Sequence, residues 1–295
     1  MKVRFAVGPG GGAQDGVQLS SFADALEVSG FDGVWLSDVP LAPVLDPLLA
    51  LALIAGRTSR LRLGANVVPL GRNPFLLAKE LAQLDRLCEG RLLLSFVPGL
   101  DHRGEREVLG VDGAGRGAVL EEVLELLRRW WDGEEVEHDS ARWSFPAVAA
   151  AARPVQEPLE VWLGGRGPKA LERVGRVADG WLGAAVTPEE ARVARERIQQ
   201  SAGRAAREVD PEHFGLSIPY ARTEPDPALL RSVLARRPDI DPLALVPVGS
   251  QALRELILRH IDAGLSKFVV RPAAAVTSWR DEVDWLTGAI LDLQT

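Results

Sequence analysis

Cysteine is nearly absent. Cys88 is the only one in 295 residues, so no disulfide can form within the chain and no second thiol exists for a structural zinc site. The four histidines, His102, His138, His213 and His260, offer no substitute. None has metal-ligand spacing with another histidine or with the cysteine, and no metal is expected. Positive charge is also short: the formal net charge is −7 and the pI about 5.3. That argues against nucleic acid or an anionic membrane as the main partner, since both need a basic footprint. The longest apolar run, Pro47 to Ala55, falls far below a membrane span. Met1 to Val7 leads straight into glycines and does not form a signal peptide. A soluble, cytoplasmic chain is expected. Lysine is scarce beside arginine, a skew of GC-rich coding and not of fold. There is no Gly-x-Ser-x-Gly elbow and no Ser/His/Asp set.

What the sequence does have is a core and a rhythm. Residues of hydrophobic type make up 46% of the chain, enough for one large interior. Short β runs alternate with amphipathic helical stretches, the pattern of stacked βα units on a parallel sheet. Strands are expected at 2–7, 33–37, 61–68, 92–97, 159–163, 180–183, 213–218 and 267–270. Helix starts are marked by Asp46-Pro47, by Asn73-Pro74, and by the capping boxes at Thr187-Pro188-Glu189-Glu190 and Ser278 to Asp281. Residues 98–117 and the proline-rich stretch 221–248 read as irregular insertions. Residues 133–158 show no clear period beyond a short strand near Arg142–Phe145. Eight strands in regular alternation with helices suit a closed ring without edges, a single-domain (β/α)8 TIM barrel over residues 1–295.

Such a barrel works at the C-terminal ends of its strands. The residues there are Pro9–Gly12, Asp38, Asn66–Pro69, Pro98–Asp101, Gly164–Gly167, Ala184–Thr187, Pro219–Tyr220 and Arg271–Pro272. Gly164-Gly165-Arg166-Gly167-Pro168 follows an apolar strand and opens a helix. It reads equally as a phosphate cradle, with backbone N–H groups and a helix N-terminus facing an anion, and as one of the tight turns any barrel needs. Asn66 is a polar residue at an apolar strand end and marks either a bulge facing the pocket or a side chain bonding its own loop. Asp38 is either a site acid or a loop-fixing carboxylate. Asp101, Glu105 and Glu107 are expected to be solvated loop charges, and His102 alone of the histidines lies near the mouth. A mouth with a candidate anion site but no nucleophile, metal cluster or acid–base pair suits a cofactor that carries its own chemistry.

Several motifs in one order carry a family resemblance. They are Gly30-Phe31-Asp32-Gly33-Val34-Trp35-Leu36-Ser37-Asp38, Thr58 to Gly64, Arg72-Asn73-Pro74-Phe75 to Lys79, and Leu84-Asp85-Arg86-Leu87-Cys88-Glu89-Gly90-Arg91. Arg153-Pro154-Val155-Gln156, Val161 to Pro168, Ala178-Asp179-Gly180-Trp181 and Ala263 to Phe268 continue the series. Together they resemble the bacterial luciferase-like superfamily, and most of all the branch that uses coenzyme F420, a deazaflavin hydride carrier. The resemblance implies an enzyme, a homodimer, and an oxidoreductase that moves a hydride between F420 and a small organic substrate. FMN is the alternative cofactor, in a two-component monooxygenase; a non-catalytic flavin or deazaflavin carrier is the other rival.

The resemblance also implies site residues. A non-proline cis peptide at Asn66-Val67 would form a bulge behind the deazaflavin ring. Asp38 and Asn66 would shape the ring site, and Gly164, Gly165, Arg166, Gly167 and Ala184 would hold phosphate. Trp35 and Arg271 would face the substrate. Many relatives place a histidine after the Ser-Asp pair, and here that place is Val39. No catalytic residue is assigned, and reduction of an activated double bond fits better than alcohol oxidation by a histidine base.

Overall fold

Local signals set the helix starts. A computed structural model of the protein describes residues 1–10, 15–100, 102–111 and 115–295. Asp46 and Asn73 each accept hydrogen bonds from the first-turn N–H groups, and proline follows each at the first helical position. Thr187 and Glu190 cap each other reciprocally. In chain order the elements are β1 (Arg4–Val7), α1 (Gly16–Ser29), β2 (Gly33–Ser37), α2 (Pro47–Ala55), β3 (Arg62–Val67), α3 (Pro74–Leu87) and β4 (Leu92–Phe96). Then come α4 (Arg103–Val108), α5 (Arg116–Trp131), β5 (Glu135–Asp139), β6 (Ser144–Ala149), β7 (Val161–Gly164), α6 (Pro168–Val177) and β8 (Gly180–Ala184). The chain ends with α7 (Pro188–Arg204), β9 (Phe214–Tyr220), α8 (Pro227–Arg236), α9 (Gly249–Asp262), β10 (Lys267–Pro272) and α10 (Trp279–Ile290).

Eight of these strands close in the order β1-β10-β9-β8-β7-β4-β3-β2, every neighbour parallel. This is the expected (β/α)8 barrel. Side chains alternate along each strand. Phe5, Val7, Leu63, Val67, Phe96 and Phe268 turn outward into the apolar layer shared with the helices. Trp35, Leu182 and Val269 form a separate cluster with Ala6, Leu93 and Trp162 inside the ring.

The three irregular stretches contain more order than their composition suggests. The first insertion holds α4, the second holds α8, and residues 133–158 form the antiparallel β5–β6 hairpin outside the ring. Their pattern is illegible locally because none has a continuous apolar face. In β5 and β6 only Val136 is buried, and α8 buries none. The hairpin is held by Trp130, whose Nε1–H donates to Val148 O at 3.1 Å and whose ring meets Phe145 edge-on.

Two distant motifs meet at Asp85. This carboxylate on α3 is fully buried and accepts from Val155 N (2.7 Å), Gln156 N (2.9 Å) and Gln156 Nε2 (2.7 Å). It ties the helix after β3 to the segment that enters β7.

Candidate active site

The mouth of the barrel is built from the last inward-facing residue of each strand. Gly64 explains why it has a floor. A Cβ there would lie 2.1 Å from the Trp35 ring, so only glycine lets that indole lie across the lumen. Trp35, 8% exposed, is part of the wall of the mouth and not a side chain reaching into solvent. Above it, small and polar residues leave space: Ser37 on β2, Asn66 on β3, Ser95 on β4 and Ser217 on β9. Asn66 Nδ2 donates to Ser37 Oγ at 3.2 Å. A cavity of about 140 Å³ opens beside them, lined among others by Gly8, Ser37, Val39, Ser217, Val269 and Arg271.

Asp38 acts as a clamp. Its side chain is 9% exposed and its Oδ2 accepts from Val68 N (3.1 Å) and Arg72 (2.9 Å). Arg72 also reaches Asp46 at 3.1 Å. Burial opposes the charge on Arg72, but the two carboxylates outweigh it and raise its pKa. Asp38 N in turn donates to Asn66 O at 2.8 Å. Asp38 therefore fixes the turn after β3 from behind, the loop-fixing role. The Asn66-Val67 peptide is trans, contrary to the cis bond implied by the resemblance; the only cis bond among the described residues is Glu157-Pro158. Both residues remain in the ladder, Asn66 opposite Ser95 and Val67 opposite Phe96, with Val97 N donating to Val67 O. A paired backbone leaves no room for a bulge. Val67 itself turns outward into the core, so only its backbone borders the mouth.

The glycine loop lies across the ring. Gly165 has φ +113°, open to glycine and costly for other residues. Added Cβ atoms would stand 2.8 Å from the Ala170 methyl at Gly165 and 2.9 Å from Val97 at Gly164. The indole N–H of Trp181 holds Gly165 O at 2.8 Å. Arg166 is exposed and donates to Arg236 O at 3.1 Å. Gly167 precedes α6 with no side-chain cap on the helix N-terminus. Beside this loop, Ala184 is exposed and Ala185 takes φ +53°. Arg237, 1% exposed, pins Ala185 O while pairing with Glu190 (2.7 Å) and Asp239 (2.9 Å). Those carboxylates drive the Arg237 pKa up, and Asp239 falls to about 2 beside it. No local signal marked Arg237, because its partners lie in α7 and in its own loop.

Other expectations fall elsewhere. Glu105 is 1% exposed and not solvated, with Oε1 accepting from Leu100 N at 2.6 Å under Gly99. Glu107 is exposed and pairs with Arg103. His102 precedes α4 without capping it. Tyr220 is no free rim group, since its hydroxyl donates to Glu282 at 2.6 Å. Gly11, Gly12 and Asp101 lie outside the described residues. No group of three or more His, Cys, Asp or Glu that could hold a metal ion occurs among the described residues. No helix among them is long and apolar enough to cross a membrane.

A closed ring of eight parallel strands, with a cleft and a glycine loop at its C-terminal rim, defines the class of protein: a (β/α)8 barrel. The chain belongs to the luciferase-like monooxygenase family, whose model matches residues 2–269. Among curated relatives, a 5,10-methylenetetrahydromethanopterin reductase of Methanolobus tindarius is 29% identical over 198 residues, covering 66% of this chain and 59% of the relative. The oxygenase component of a flavin-dependent trigonelline monooxygenase of Acinetobacter baylyi is 30% identical over 164 residues, 53% of this chain and 44% of the relative. The chain thus spans less than two thirds of the length of these relatives. The coenzyme F420 dependent tetrahydromethanopterin reductase of Methanopyrus kandleri shares the fold, with a TM-score of 0.79, 18% identity, and coverage of 100% of this chain and 99% of that one.

Proposed function

We propose that this protein is an F420-dependent oxidoreductase that reduces activated double bonds in small organic molecules. The observation that carries this reading is the mouth. The described residues of its cavity include the hydroxyls of Ser37 and Ser217 but no histidine and no carboxylic acid, and the glycine loop stands across the ring from it. Redox chemistry there has to be brought by a bound cofactor. Gly164, Gly165, Arg166, Gly167 and Ala184 would hold the phosphate group. Asn66 and the Val67 backbone, braced by Asp38, would border the ring. The deazaflavin, when bound, supplies the hydride. Trp35 would close the floor under it and exclude water, and Arg271 would face the substrate.

The test is a titration of the purified protein with F420 and with FMN, followed by fluorescence. Saturable F420 binding is expected, weakened about tenfold or more by Gly165→Ala, which strains the loop backbone and crowds Ala170. FMN binding with no response to F420 would overturn the reading in favour of a flavin monooxygenase, the alternative favoured by the 30% identity to the trigonelline enzyme. Binding without turnover of any substrate by the reduced cofactor would favour a non-catalytic carrier.

The same reading includes a homodimer. α2 is apolar along its whole length, yet Leu49 is 76% and Leu53 43% exposed, and with Ala52 they share one face. A second copy covering this face suits it. Sedimentation is expected to give twice the chain mass, and Leu53→Arg to give the single-chain mass with the fold retained. A monomeric parent protein would end the dimer proposal.

A further inference from the structure

We infer that the mouth contains a carboxylate subsite anchored by the Arg271 guanidinium, and that the substrates are small, mainly apolar carboxylic acids. This rests on the reading of the mouth as a redox site and adds the chemistry of the substrate. Arg271 stands near the end of β10, two residues beyond the inward-facing Val269, and lines the cavity. Its one partner among the described residues is Ser217, with Nε donating to Oγ at 3.3 Å. No described carboxylate lies within ion-pair distance. Three other arginines near the mouth do have carboxylates: Arg72 has Asp38 and Asp46, Arg237 has Glu190 and Asp239, and Arg222 has Glu282.

The environment of Arg271 disfavours its charge. The side chain is solvent-exposed at the cleft; the protein around it, and then the like charge of Arg236, lower its pKa. A guanidinium that faces the cleft with no carboxylate beside it keeps its fork of donors open to an arriving anion. Its planar fork matches a carboxylate with two parallel hydrogen bonds.

The cavity selects the rest of the ligand. Apart from Arg271, its described polar side chains are Ser37 and Ser217, while Trp35, Val39, Val44, Leu45 and Val269 make it apolar. One guanidinium and two hydroxyls balance a single negative charge but under-serve a phosphate dianion. About 140 Å³ of space takes a compact body. The glycine loop that suits phosphate belongs to the turn after β7, three strands away from β10 around the ring. The two anion sites are therefore separate, one for the cofactor and one for the substrate.

Cinnamate and cinnamamide, which differ in charge and little in shape, are the probes. Their affinities are measured by ligand-detected NMR, with and without F420 present. The parent protein is expected to bind the acid about 10–100-fold more tightly than the amide, the effect of one charge-assisted pair. Arg271→Met should abolish that preference while changing amide and F420 affinities less than about twofold, and Arg271→Lys should restore part of it. Equal binding of acid and amide to the parent protein would overturn the inference without any variant. So would an Arg271→Met protein that loses F420 affinity as steeply as acid affinity, because Arg271 would then serve the cofactor. Failure of the parent to bind F420 while the acid preference persists would remove the functional reading and leave the subsite standing. Melting curves of both variants confirm that they fold.

Discussion

Asp85→Ala is expected to melt roughly 10 °C below the parent protein, a loss of about 3–5 kcal/mol. The reason is what the substitution strands. Asp85 is wholly buried, and its carboxylate satisfies the backbone N–H groups of Val155 and Gln156 as well as the Gln156 side chain. Gln156 Nε2 also donates to Leu92 O at 2.9 Å, so the network runs from α3 through the connecting segment to β4. Removing the carboxylate strips the acceptor from two backbone N–H groups and from the Gln156 amide at a part-buried junction. Asp85→Asn keeps the shape but points an amide N–H₂ at one donor, and an intermediate loss is expected. Differential scanning calorimetry decides it: a shift under about 2 °C for the alanine variant would mean that the junction relaxes and re-solvates at little cost.

His260→Leu is expected to remove most of an acid-side loss of stability. His260 on α9 is fully buried, and neither ring nitrogen has a partner. Burial, and then the charge of neighbouring Arg259, push its pKa from 6.5 down to about 4, with Glu189 on α7 opposing weakly. The fold therefore favours the neutral ring. Above pH 6.5 both folded and unfolded chains hold it neutral, and its full contribution is present. As pH falls from 6.5 towards 4 the unfolded chain takes up the proton first, and stability drains away. Between pH 7 and pH 5 the loss from this one group is about 2 kcal/mol. Leucine has no proton to take and leaves no orphaned nitrogen, so the variant should match or exceed the parent at pH 7. Urea midpoints at the two pH values measure the slope, and an unchanged slope in the variant would show that other groups carry it.

The candidate site divides in an instructive way between what was legible in the chain and what was not. Gly164 to Gly167 reads equally as an anion cradle and as a tight strand-to-helix turn; its place at the rim follows from the strand before it, and the positive φ at Gly165 is one that glycine permits. Asp38 was legible as a rim residue but not as a clamp, because Arg72 lies 34 positions away. Trp35 does line the cavity, and the glycine opposite it on β3 is what lets its ring lie there as a floor. Glu105 looked like a solvated loop charge, yet Gly99 folds the chain over it. The cis peptide at Asn66-Val67 was implied by kinship, and here the ladder on both sides keeps that bond trans.

By itself the sequence determined the eight strands of the ring, the helix starts marked by caps, and the barrel. These depend on interactions within a turn or two: the capping of Asp46, Asn73 and Thr187, and apolar runs whose period admits one kind of element. Only the tertiary structure decided which charges would be paired, which buried, and which left facing the cleft alone. Arg72, Arg237 and Arg271 are alike as residues on a rim. Carboxylates brought from other segments reach the first two, among the described residues none reaches the third, and that difference arises only when the ring closes.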